Sequence, residues 1–375
     1  MMKRRPASSS LRHRLFLFGL KLVILLSAFL CLFALLRLHS LYKLQPARHR
    51  RYIHHFEGSP KIAFLFLVRE NLPLDFLWHS FFQNGDVANF SIYVHSKPGF
   101  VFDKSTTRST FFYGRQLRNS IRVAWGEPSM IEAETLLFEA AIDNPANQRF
   151  VLLSDSCVPL YNFSYVYSYL MSSPRSFVDS FVDVKELRYN PKMSPGIPEA
   201  KWRKGSQWIA LIRRHAEVVV DDDVVLSLFK KFCKRRPLLD SSKGNVSLKQ
   251  IEHNCIPDEH FVQTLLTLRG LEDELERRTL TYSLWNQSGV KMDTKSWHPV
   301  TFNYANAGQL QINKIKDIKH IDYKSENRTE LCRTNSSLAP CFVFARKFSH
   351  GAAMRLLIDG VVGTYDLDAL FDTPK

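Results

Sequence analysis

Along most of the chain apolar residues come in short dense runs separated by polar turns. "KIAFLFLV" (61–68) is continuously apolar and of strand length, as expected for a strand buried on both faces. "LPLDFLWHSFFQ" (72–83) has helical spacing, and "FSIYVHS" (90–96) and "IRVAW" (121–125) read as further strands. "SMIEAETLLFEAAID" (129–143) reads as a helix, with Ser129 and Glu132 spaced as a capping box. "RFVLLS" (149–154) is another strand, and a helix opens at Asn162 in "NFSYVYSYLMSS" (162–173). Strand alternating with helix predicts an α/β fold with a central, mostly parallel sheet flanked by helices. Ligands of such sheets sit at the carboxyl ends of the strands. Here those ends are "VREN" (68–71), "HSKPGF" (95–100), "WGEPS" (125–129) and "SDSCVP" (154–159). The second half is less regular: "SQWIALIRR" (206–214) and "CFVFARKF" (341–348) read as strands, and 222–235 and 257–269 as helices.

One run has a different character. "LFLFGLKLVILLSAFLCLFALL" (15–36) is 22 residues long with Lys21 as its single charge, enough to span a bilayer as a helix. It exceeds a signal-peptide core and is followed by Arg37, Leu38 and His39, so an uncleaved signal anchor is expected. The expected organisation is a cytosolic tail (1–14), the anchor (15–36), a stem (37–60) and a lumenal domain (61–375). Within that domain, 61–185 reads as a nucleotide-binding half and 186–375 as an acceptor and catalytic half. Basic residues number five in 1–14 and five in 37–51, so the flanking charges do not set the orientation. The sequons do: Asn89, Asn162, Asn245, Asn286, Asn327 and Asn335 all lie downstream of the apolar run, and glycan addition is lumenal.

The formal charge of +15 is unevenly spread. Residues 1–60 carry 11 Lys and Arg against one acid, and the other 315 carry 40 against 35. The excess belongs to the membrane flanks, where basic residues meet lipid headgroups, and nucleic acid is not an expected partner. Cys31 falls in the anchor; for the rest an oxidising lumen favours Cys332–Cys341 and Cys233–Cys255 disulfides. No CxxC or His-rich spacing points to zinc, and no GxGxxG, GxxxxGK[ST] or GxSxG points to a dinucleotide, a P-loop or a serine hydrolase.

Three features carry candidate chemistry. In "NCIPDEHFVQTLLTLRG" (254–270), Asp258 and Glu259 follow a proline suited to a helix start. On the residues alone they are helix-start acids complementing the dipole, though the same placement serves a general base. Asp221 and Asp223 in "VVVDDDVV" form a D-x-D that either caps the next helix or holds a divalent ion beside substrate phosphates. Arg346 and Lys347 in "FARKFSH" are a solvated basic edge or fixed cations for a phosphate leaving group.

Taken in order, "IAFLFLVREN", "SIYVHSKPGF", "VAWGEPSMIEAETLLFEAAI", "FVLLSDSCVPLYNF", "KWRKGSQWIALIRRHAEVVVDD", "CIPDEHFVQTLL", "SWHPVTF" and "CFVFARKF" resemble the plant core-2 and I-branching β-1,6-N-acetylglucosaminyltransferases, within the brittle-culm-like subgroup. The likeness runs from about 61 to 357. It implies a GT-A-like fold, Golgi type II topology, a UDP-sugar donor, a glycan or glycoprotein acceptor, and inversion without a metal or other cofactor. It makes Glu259 the base, from the family's P-D-E segment, and Lys347 the diphosphate lysine, from its A-x-K-F segment. Val68, His95 and Asp155 fall in the implied donor site, although Ser96 stands where animal members carry an acid. The family's second phosphate arginine has no clean match in "TFNYANA" (301–307), so Arg328 or Arg333 is the expected substitute. Lys201, Trp202, Arg203, Trp208 and Asp258 fall on the acceptor side. The donor stays open between N-acetylglucosamine and glucuronic acid, the latter on arabinogalactan-type glycans. A catalytically silent Golgi sugar-binding scaffold and a metal-dependent transferase using Asp221 and Asp223 are the competing readings.

Overall fold

The computed structural model describes residues 9–43, 56–184, 188–235, 254–285, 298–334 and 337–363. Two units divide the chain, Met1–His54 and His55–Lys375. The first holds helix α1 (Ser9–Lys43), whose stretch Phe16–Arg37 has a mean hydropathy of 2.5 and exposes its apolar side chains all round. A helix apolar on every side suits a membrane span and not a core-facing position. It continues past the expected boundary at 36 to Lys43; the stem residues 44–55 lie outside the described residues.

The second unit is built on a six-stranded sheet ordered β2-β1-β3-β6-β5-β7. Its strands are β1 (Lys61–Leu67), β2 (Phe90–His95), β3 (Asn147–Ser154), β5 (Ser176–Phe177), β6 (Ala210–Ile212) and β7 (Leu275–Glu276). The expectation of parallel strands holds for β2, β1 and β3 and for β5 with β7, while β6 runs antiparallel to both neighbours. A second sheet sets β13 (Phe344–Arg346) between β4 (Val158–Pro159) and β8 (Thr281–Ser283). Two small ribbons, β9 (His320–Tyr323) with β10 (Arg328–Leu331) and β11 (Arg333–Thr334) with β12 (Ser337–Leu338), lie in sequence between its strands β8 and β13.

The apolar run of β1 is explained by what covers it. Ile62, Phe64 and Phe66 point into one core with α2 (Asp75–Gln83), α4 (Phe163–Ser172) and α9 (His350–Ile358). Ala63, Leu65 and Leu67 point into the other with α3 (Ser129–Ile142), α5 (Arg213–Val220), α6 (Val224–Phe232) and α7 (Phe261–Leu268). Phe64 meets Trp78, Phe81 and Phe82 edge-on. Each such fully buried aromatic contributes roughly 1.5–3 kcal/mol. Helix α8 (Gln309–Lys316) adds Ile312 and Ile315 to the first core.

Several expectations give way. Residues 121–125 form no strand: the outer edge of β2 is taken by Gln116, which bridges Val94, and Arg122 to Trp125 remain an exposed loop. The Ser129–Glu132 capping box does not form. Pro128 occupies the cap, the Ser129 hydroxyl accepts from the Ala124 N–H, and Glu132 pairs with Lys230 of α6. Only Ala210–Ile212 of the 206–214 run is strand, and α5 begins at Arg213. Both expected disulfides are present, Cys233–Cys255 and Cys332–Cys341. Of the sequons, Asn162 caps α4 and is exposed, Asn327 is exposed in the β9–β10 turn, and Asn89 is half-buried; Asn245, Asn286 and Asn335 lie outside the described residues.

Candidate active site

In register, Leu67 of β1 stands beside His95 of β2 and Ser154 of β3, so three parallel strands end level. The chain leaving them opens a cleft of about 1870 Å³. Because β6 is antiparallel, the segment entering it, Lys204–Trp208, arrives at the same edge. Lys347, just past β13, reaches the cleft too, and the Phe348 N–H donates to the Ser156 carbonyl, tying that strand end to the loop after β3. The volume exceeds the roughly 300–1,000 Å³ of a site for one small molecule and leaves room for two substrates.

Val68, His95, Asp155, Trp208, Asp258, Glu259 and Lys347 all line this cleft. Pro257–Glu259 is a separate 3₁₀ turn, and α7 begins only at Phe261, so the two acids precede the helix and are not in its first turn. Glu259 is 29% exposed; its Oε2 is held by Arg188 at 2.5 Å, with Lys204 Nζ at 3.9 Å. The Gly205 N–H fixes the Glu259 carbonyl at 2.9 Å. Asp258 points inward. Its Oδ1 is buried without a hydrogen-bond partner, and burial followed by the Glu259 charge pushes its pKa up to about 7. Below it Glu134, buried and accepting from Gln207 at 2.8 Å, is held well above the usual carboxylate range by burial and then by Asp258.

The cleft also carries a cluster of cations. Burial, then the charges of Arg346 and Arg69, pull the Lys347 ammonium below its ordinary value, with Asp155 acting against them. His298 is lowered by burial and then by Lys347, Arg69, Arg235 and Arg346. Arg235 stacks over Trp125 at 4.2 Å, and Trp125 lies 5.4 Å from His298. At the end of β2, Ile121 N–H donates to His95 Nε2 at 3.1 Å, which places the ring proton on Nδ1. That Nδ1 and the Ser96 hydroxyl are buried without partners, and burial pushes His95 down to about 4, leaving the ring neutral.

Other expected site residues lie elsewhere. Trp202 is a core residue stacked between Phe229 and His260, and His260 Nδ1 donates to the Arg203 carbonyl, so Trp202 buttresses the turn carrying Glu259. Arg203 is taken up by Glu272, and Lys201 is exposed outside the cleft. Arg328 covers the Tyr323 ring and pairs with Glu326 and Glu330, behind the cleft wall. Arg333 is exposed beside the Cys332–Cys341 loop and also misses the cleft. Asp221 ends α5 and Asp223 precedes α6. Asp222 does the capping instead, accepting from Leu226 N–H and pairing with Arg269. Neither Asp221 nor Asp223 lines the cleft, and no metal-ligating cluster occurs among the described residues.

Arg69, Arg188, Lys204, Trp125 and His298 were not signalled individually in the sequence. Arg69 sits in a strand-end loop that was, and Lys204 in the quoted "KWRKGSQW". Arg188 lies in a stretch without periodicity, so nothing marked it.

A family model described as Core-2/I-Branching enzyme matches residues 62–318. Glycosyltransferase BC10 of Oryza sativa subsp. japonica is 54% identical over 305 residues, covering 80% of this chain and 76% of that protein. Among solved structures, galactosyltransferase LgtC in complex with donor and acceptor sugar analogs aligns at a TM-score of 0.37, and an active-site mutant of LgtC at 0.36. Each is 10% identical, covering 81% of this chain and 98% of its own.

Proposed function

The chain belongs to the Core-2/I-branching enzyme family and is a glycosyltransferase; from that premise we propose an inverting transfer from a UDP-sugar to a hydroxyl of a glycan or glycoprotein, with N-acetylglucosamine as the sugar moved. The observation that carries the reading is the pairing across one cleft of an oriented carboxylate, Glu259, with the cations around Lys347. Glu259 takes the proton from the acceptor hydroxyl as its oxygen attacks the anomeric carbon. The bond from that carbon to UDP breaks on the opposite face, and the diphosphate leaves with the electron pair. Fixed cations stabilise the charge that develops there, the task a metal performs in other transferases. Arg188 holds Glu259 Oε2, so Oε1 is the atom that meets the acceptor. His95 lines the donor side of the cleft at the end of β2, and Trp208, 6% exposed with Arg346 over its ring, backs the cleft wall.

The sequons downstream of α1 and the two disulfides support a type II protein of the Golgi membrane, with residues 1–14 cytosolic and the 61–375 domain lumenal. The test is turnover by the full-length chain in detergent with a panel of UDP-sugars, a glycan acceptor and a chelator. UDP release from one donor in chelator is expected. Release that needs added divalent ion would shift the chemistry to an acidic metal site.

A further inference from the structure

Positive charge in the 61–375 domain is concentrated in one segment. Residues 97–122 carry six cations, Lys97, Lys104, Arg108, Arg115, Arg118 and Arg122, against Asp103 alone, while the rest of 61–375 carries 34 charges of each sign. All six are exposed. Lys97 pairs with Glu70 at 3.2 Å; among the described residues the side chains of the other five have neither an ion pair nor a hydrogen bond. The segment is held along the outer edge of β2, the first strand of the six-stranded sheet. The Val94 N–H donates to the Arg115 carbonyl at 3.0 Å and the Leu117 N–H to the Val94 carbonyl at 2.8 Å. The Ser120 hydroxyl closes a turn on the Leu117 carbonyl, and the Ile121 N–H reaches His95 at the end of the strand. Arg115 and Arg118 therefore follow the sheet edge, and Arg122 arrives at the cleft, which it lines together with Lys97. From Arg115 to Arg122 the chain spans at most about 25 Å. Charge on a sheet edge discourages pairing with another sheet. Here Gln116 already bridges Val94, and edge protection calls neither for a single sign nor for a run that ends in the cleft. Crowded like charges repel one another, and an anion laid along them relieves that repulsion.

We propose that this strip is a docking surface for an acidic part of the acceptor glycan, with Arg115, Arg118 and Arg122 receiving the carboxylates of uronic acid residues outside the cleft. The inference rests on the glycosyltransferase reading above and names an acceptor class for it. The donor does not account for the strip, because its charge resides on the diphosphate, which that reading places inside the cleft by Lys347. A lipid surface has its own cations in residues 1–60, around α1. A glycan seated in the cleft, by contrast, runs out over whatever borders the mouth. The guanidinium fork receives a carboxylate in two-point fashion, and all three strip residues are arginine.

The experiment measures binding of a labelled oligogalacturonate to the full-length chain in nonionic detergent, against its methyl ester, which has the same length and no charge. Wild type is compared with the triple variant Arg115→Gln, Arg118→Gln, Arg122→Gln. A control with an equal charge change, Lys192→Gln, Lys314→Gln, Lys324→Gln, alters exposed lysines outside both strip and cleft. Melting curves establish that each is folded, and the single Arg118→Gln, with a smaller effect, replaces the triple variant if that one is not. The modest strength of exposed ion pairs predicts that the triple variant binds the acid about threefold to a hundredfold more weakly. The control and the methyl ester should show no such change, and the difference should shrink as salt is raised. UDP affinity, and UDP release with a neutral acceptor, should stay at wild-type values in the triple variant. Equal binding of acid and ester by wild type overturns the inference, as does equal weakening in the control, which makes net charge the cause. Loss of UDP affinity without loss of acid binding assigns the strip to the donor, and loss confined to phosphatidylserine vesicles assigns it to lipid; either overturns it. Wild type releasing no UDP from any donor removes the parent reading, and the acceptor role with it.

Discussion

Gly205 has no room for a side chain. A Cβ there would lie 1.7 Å from the Asp179 carbonyl oxygen, while its N–H holds the backbone of Glu259. Gly205→Ala should destabilise the chain by about 1–3 kcal/mol or more and lower transfer by more than the lost folded fraction, because the turn bearing Glu259 moves. Melting curves and specific activity of the same sample check this. At the same scale, Asp258 makes stability depend on pH. Its folded pKa, about 7, lies above the ordinary 3.8. Below 3.8 both states hold the proton. As pH rises toward 7 the unfolded chain ionises while the folded one does not, so stability is lost through that window and the loss is complete above it. Asp258→Asn cannot ionise, and its melting temperature should fall less than that of wild type between pH 4 and pH 8. Parallel curves would contradict the burial argument. Single residues were also where the sequence said least. Glu259, Lys347 and Asp155 were marked by motif, but a tryptophan in a basic, aromatic stretch reads the same whether it backs the cleft, like Trp208, or lies wholly in the core, like Trp202.

Among the elements, what the sequence revealed followed burial on two faces. The run of β1 and the helical spacing of α2 and α3 reflect cores on both sides of the sheet, which force apolar residues at predictable positions. Where an element's fate depends on a competitor elsewhere in the chain, pattern alone was insufficient. "IRVAW" has strand character, but Gln116 occupies the edge it would need. Ser129 and Glu132 have capping spacing, but Pro128, Ala124 and Lys230 claim those positions. The Cys233–Cys255 disulfide joins the end of α6 to the irregular segment entering the Glu259 turn, and the Cys255 N–H donates to the Lys234 carbonyl. Replacing both cysteines by serine should cost about 2–4 kcal/mol and reduce transfer. Replacing Cys332 and Cys341, which close a loop away from the cleft, should lower stability with less effect on turnover per folded molecule. Comparing the two pairs by melting and by kcat separates the roles.

For the whole molecule, the positive charge that composition assigns to the chain resolves into a basic flank around α1 and a separate cationic wall inside the cleft. That wall is gathered from Arg69, Arg235, His298, Arg346 and Lys347, which are distant in sequence. Only the level ends of the parallel strands and the return of β13 bring Arg69 and Lys347 together, so the cluster could not be read without the fold. With Asp221 and Asp223 outside the cleft, turnover is expected to be unchanged by chelator at saturating donor. The lumenal placement proposed for 61–375 predicts that glycans on the sequons of the intact membrane-bound protein resist glycosidase until the membrane is opened.

The central claim is that Glu259 performs the proton transfer and does not merely hold the fold. The most direct measurement is single-turnover transfer by Glu259→Gln alongside its affinity for UDP. The account predicts UDP binding within a few-fold of wild type and transfer slowed by about 10²–10⁴-fold. Transfer at the wild-type rate would contradict it.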